Sequence, residues 1–127
     1  MTTFLWVCAG GALGSGARYL VSGWVLRAAG PSFAYGTLTV NLAGSFLLAM
    51  ILQATLSGAA VSPGLRIALT TGAMGGFTTY STFSYETLEY MQSGAWALAA
   101  TNIAVTVIGC LVASVFGFYV GRWLVGQ

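Results

Sequence analysis

Between Gly75 and Tyr85 the chain reads Gly75-Gly76-Phe77-Thr78-Thr79-Tyr80-Ser81-Thr82-Phe83-Ser84-Tyr85, two glycines, five threonines and serines and four aromatics inside an apolar segment. Hydrocarbon offers no water to such hydroxyls, so they must face protein or a wet pathway. Tyr80 and Phe83 are three residues apart and Ser84 is four from Tyr80, so all three share one side of a helix. Aromatic rings carry a positive edge and a negative face. Ring edges and hydroxyls together can therefore cup a small anion without a fixed cation. The competing reading is a packing face whose hydroxyls bond back to the preceding turn.

Two other segments offer polar faces. Thr37 and Asn41 are four apart, as are Asn102 and Thr106. An asparagine amide has two N–H donors and a carbonyl acceptor, costly to leave dry. Asn41 serves either as an anion donor or as an interhelical bond worth about 1 kcal/mol. Arg18 lies deep in an apolar stretch, which suits an interfacial anchor or a pore-lining cation. Glu86, one turn beyond Phe83, is a solvated end residue or a charge at a pore mouth. With no histidine and only Glu86 and Glu89 as acids, metal catalysis and acid–base chemistry lack residues, so no enzyme is expected. The net charge of +2 is too small to suggest a nucleic-acid partner.

The elements that must position these groups follow from composition. The chain has 127 residues, 57% hydrophobic and 5% charged, against about 25% charged in soluble domains. Four apolar stretches, roughly 4–26, 36–56, 65–91 and 95–125, reach bilayer length. The expectation is an all-α integral membrane protein, 1–127 forming one four-helix transmembrane domain in a lipid bilayer. The first run continues too far, and lacks a preceding positive charge, for a cleavable signal peptide. Cys8 and Cys110 fall inside predicted spans and are expected as packed apolar thiols without a disulfide. Trp6 and Trp24 bracket the first span, and Trp96 and Trp123 the fourth, as interfacial belts. Turns are expected at Ala28–Ser32, Ser57–Gly64 and Gln92–Gly94.

Gly10 and Gly14, Gly72 and Gly76, and Gly117 and Gly121 have the small-xxx-small spacing that lets helices approach closely. Gly75-Gly76 adjoins Thr-Thr and a run of hydroxyls, so the third helix should break near Gly75–Thr79, exposing carbonyls at membrane depth. Four spans would put Arg66 and Arg122 on one side and Arg27 on the other, leaving almost no positive-inside bias. Insertion in both orientations, giving an antiparallel homodimer, is compatible with that balance; so is a plain scarcity of charge.

These residues resemble the Fluc (CrcB-type) family of small bacterial fluoride channels. Gly36-Thr37-Leu38-Thr39-Val40-Asn41 is similar to its second-span motif and Gly75 through Glu86 to its third-span motif; Arg18-Tyr19 resembles an Arg–aromatic pair in its first span. The resemblance covers essentially the entire chain. It implies a multi-pass protein of the bacterial plasma (inner) membrane that passively exports fluoride to relieve toxicity. It implies a dual-topology antiparallel homodimer with two pores and a structural sodium ion on the two-fold axis. The sodium carbonyls would be those of Gly75 and Thr78; Asn41 and Phe83 would be pore residues, with Thr37, Ser81 and Thr82 a polar track. Asn102 and Thr106 would face the pathway from the fourth span. Tyr80 departs from the family's usual Phe, keeping the ring edge and adding a phenol. Two rivals stand beside this reading. A proton-coupled multidrug exporter would need an acid in the first span, which holds Arg18 instead; a non-transporting scaffold would leave the aromatic break motif without a use.

Overall fold

The structure is a computed structural model that describes residues 1–58 and 60–126. Helix α1 (Thr2–Ala29) is followed by α2 (Tyr35–Leu56) and the short α3 (Pro63–Ile67). The last runs on into a π-helical stretch (Ala68–Met74) and a single turn, α4 (Gly75–Phe77), before α5 (Tyr80–Gln92) and α6 (Trp96–Leu124). No strand occurs among the described residues. The helices follow the four apolar stretches, with the third divided as expected. Ser62 opens α3 by accepting the Leu65 N–H on its hydroxyl, with Pro63 in the first turn. Gly30 and Gly94, both at positive φ, follow α1 and precede α6.

Helices α2 and α6 are long and apolar enough to cross a membrane. Helix α1 has 28 residues, but its glycines, serines and Arg18 leave it less apolar. What each helix buries is the reverse of a soluble protein. The inner face of α2 is Thr37, Val40, Asn41 and Gly44, one helical stripe, and that of α6 is Ala99, Asn102, Thr106, Gly117 and Gly121. Ile108, Leu111, Val115 and Phe116 of α6 are exposed, as are Trp6, Trp24, Trp96 and Trp123. An apolar surface over a small and polar interior is what hydrocarbon as solvent selects, and the protein is a membrane protein.

Glycine holds the bundle together in two seams. A Cβ on Gly10 would strike the Ala68 carbonyl, and one on Gly14 the Ala73 carbonyl, so α1 lies directly on the π-helical stretch. Gly72 and Gly76 answer from the other side, against the carbonyls of Val7 and Gly11. Gly117 and Gly121 admit the Phe46 and Met50 carbonyls, fastening α6 to α2. The three spaced glycine pairs thus do the packing their spacing predicted.

The break falls two residues later than the glycines that announce it. Gly75 is fully helical (φ −63°, ψ −37°), whereas Thr78 (−83°, 160°) and Thr79 (−150°, 109°) are extended. Gly76 is needed as a flat surface for α1, and β-branched threonine is at ease in extended backbone. The π-helical stretch has no counterpart in the sequence reading. Cys8 and Cys110 are both free thiols; Cys8 is exposed on α1 rather than packed within the chain.

Candidate functional site

Thr79 is the hub of the break. Its N–H donates to Asn41 Oδ1 at 2.8 Å, and its carbonyl accepts from Asn41 Nδ2 at 3.1 Å, both bonds buried. The asparagine amide thus pairs with a lone peptide unit as a neighbouring strand would. Thr79 Oγ1 accepts the Thr82 N–H at 3.2 Å, capping α5, and lies 2.8 Å from Thr82 Oγ1 and 3.4 Å from Ser81 Oγ. These diversions free two carbonyls. Helical continuation would direct the Thr79 N–H to Gly75 O and the Thr82 N–H to Thr78 O; both donors are spent elsewhere. Gly75 itself is exposed, and a methyl group on its Cα would meet nothing within 4 Å.

Two spaces flank the Asn41–Thr79 pair. One is a cavity of about 620 Å³ to which α1 contributes Ser15, Arg18, Ser22 and Arg27, α2 Thr37, and the break and α5 Thr79, Thr82 and Glu86. Thr37 donates to Glu86 Oε1 at 2.8 Å, while Glu86 Oε2 is buried without a partner. Phe33, on the connection between α1 and α2, stacks on Tyr90 at 6.0 Å beside this cavity. The other space is a groove of about 320 Å³ between α2, α5 and α6, lined by Asn41, Gly44, Thr78, Tyr80, Phe83, Thr106 and Cys110. Tyr80 and Phe83 meet with ring centroids 5.5 Å apart at 57°, tilted rather than stacked flat. Tyr80 is 79% exposed and Phe83 is buried. Thr106 Oγ1 is buried and has no partner. One Asn41 N–H is left over from the pair with Thr79.

The candidates from the sequence therefore divide. Asn41, Tyr80, Phe83 and Thr106 converge on the groove, and Arg18, Thr37, Thr82 and Glu86 on the cavity. Ser81 is exposed and lines neither. Asn102 is 1% exposed and donates to Thr87 Oγ1 rather than into the groove. Ser84 spends its hydroxyl on the Tyr80 carbonyl at 2.9 Å, the back-bonding reading of that residue. Sequence reasoning passed over Ser15 and Ser22, which share a face of α1 with Arg18 at helical spacing. It also passed over Thr79, whose hydroxyl three residues before Thr82 is a cap signature.

An all-helical membrane bundle, its polar side chains gathered around the break at Thr78–Thr79, is the class these features define. Residues 5–118 match the model of the CrcB-like protein, Camphor Resistance (CrcB) family. The chain is 57% identical over 126 residues to the fluoride-specific ion channel FluC of Anaeromyxobacter sp. (strain K), covering 99% of this chain and 100% of that protein. It is 46% identical over 125 residues to the protein of that name from Sorangium cellulosum (strain So ce56), covering 98% of both chains. The chain belongs to the CrcB-like family.

Proposed function

We propose that this chain is a passive, fluoride-selective ion channel that lets fluoride leave the cell, and not an enzyme. The observation that carries the reading is the groove. Asn41 from α2, Tyr80 and Phe83 from α5 and Thr106 from α6 bring an amide, aromatic rings and a hydroxyl to one place without a fixed charge. Fluoride is small and strongly hydrated, so a selective path must replace its water with closely set donors. Neutral donors do that while still releasing the ion. Its relatives' name, fluoride-specific ion channel, agrees with that chemistry. The exporter alternative has no support: α1 brings serines and arginines to the cavity and contains no carboxylate.

The same reading includes four membrane-spanning segments, counting the broken third as one, in a multi-pass protein of the bacterial plasma membrane. It includes an antiparallel dual-topology homodimer with two pores, for which the exposed apolar face of α6 and exposed Gly75 supply surface. Sodium fits the freed oxygens of Gly75 and Thr78, since a hard cation prefers carbonyl ligands. When bound, it would supply a positive charge to oxygens that the helix break leaves without their helical donors. Replacing sodium by potassium should lower the dimer fraction on a sizing column; an unchanged fraction would remove the ion from the account.

Efflux from liposomes containing the purified protein tests the function. Rapid fluoride efflux under an imposed potential, with negligible chloride flux, is expected. Chloride moving equally well would defeat the reading.

A further inference from the structure

Phe83 is not free to place its own ring. The residue is buried, and its carbonyl accepts a second bond, from Thr87 Oγ1 at 2.7 Å. Thr87, also buried, accepts in turn from Asn102 Nδ2 at 2.9 Å. A hydroxyl has one proton, and here it goes to Phe83, so the Asn102 N–H must meet the oxygen lone pair. The bonds thus run in one direction, from Asn102 through Thr87 to Phe83. This run of bonds crosses from α6 to α5 one helical turn beyond the groove residues Phe83 and Thr106, and both its side chains are buried, where an unpaired member is costly. The tilted contact of Phe83 with Tyr80 lies one turn the other way along α5, toward the break.

We propose that Thr87 and Asn102 are positioning residues that fix the Phe83 ring at the groove, Asn102 acting through Thr87 without itself meeting the ion. Threonine bonded to the carbonyl one turn back bends a helix locally. Anchoring that bend to α6 sets both the depth and the angle of the ring edge. The flux consequence rests on the fluoride-channel reading; the positional consequence does not.

The test separates the two. Para-fluorophenylalanine placed at position 83 alone reports ring surroundings by fluorine NMR in the assembled protein. Thr87→Val keeps side-chain shape and removes the hydroxyl, and should shift and broaden that resonance; Thr87→Ser should return it. In liposomes, Thr87→Val should lower fluoride flux about tenfold and narrow the fluoride-over-chloride ratio, with Thr87→Ser within about threefold of the unaltered protein. Should Thr87→Val fail to assemble, Asn102→Leu, which leaves the Thr87–Phe83 bond in place, should move the same resonance less far. An unmoved resonance in the variant that assembles overturns the proposal. A moved resonance with no fluoride flux from even the unaltered protein keeps the positioning role and removes the channel reading.

Discussion

On one side of the Asn41–Thr79 pair the chain collects charge, with Arg18, Arg27 and Glu86 around a cavity of about 620 Å³. On the other it collects rings, a hydroxyl and an amide around a groove of about 320 Å³ with no arginine or carboxylate. The two spaces draw on different helices: α1 builds much of the cavity and none of the groove, and α6 the reverse. A guanidinium attracts an anion over distance but binds it firmly, whereas neutral donors exchange for water and let go. On the proposed reading, collecting an anion and passing it fall to different groups, with one asparagine between them.

The sharpest way to break this contrast lies in the groove. Phe83→Ile, which removes the ring edge and keeps an apolar side chain, should abolish fluoride conduction while the protein still assembles; normal efflux from well-folded protein would sink the ring-edge account. Asn41→Leu strands the Thr79 N–H and carbonyl and removes a groove donor, so flux should fall about a hundredfold. Near-normal efflux there would show the pair to be dispensable. Gly14→Ala acts on the other region. Its new methyl meets the Ala73 carbonyl, an overpacking that costs about 1–3 kcal/mol and loosens the cavity wall. Thermal denaturation should register that loss, while the fluoride-over-chloride ratio stays that of the unaltered protein. A changed ratio would mean that the cavity takes part in selection. Smallest of all is Tyr80→Phe, which keeps the ring that contacts Phe83; efflux should stay within several-fold, and complete loss would show that the phenol is required.

Much of the scaffold was legible because its rules are local. Apolar length marked the helices, four-residue glycine spacing marked the seams, and the clash of Gly-Gly-Phe-Thr-Thr with helix propensity marked the break. Its placement at Thr78–Thr79 was less so, since Gly76 is held helical by contact with α1, a distant partner. The site was legible in residue type rather than in role. Asn41 and Asn102 look alike in sequence, each four residues from a threonine on an apolar helix. One pairs with a peptide 38 residues away and borders the groove; the other bonds Thr87, 15 residues away, one turn beyond it. Glu86 finds Thr37 at a separation of 49. Helical periodicity says which residues share a face, and only tertiary packing says what that face meets.

The two glycine seams also set an order of assembly. They join α1 to the π-helical stretch and α2 to α6, elements far apart in the sequence. During synthesis α2 emerges long before α6, the helix its glycine seam needs, and the groove lacks its third wall until Thr106 arrives. A nascent chain shorter than its final helix therefore holds every residue that lines the charged cavity but lacks the α6 side of the neutral groove.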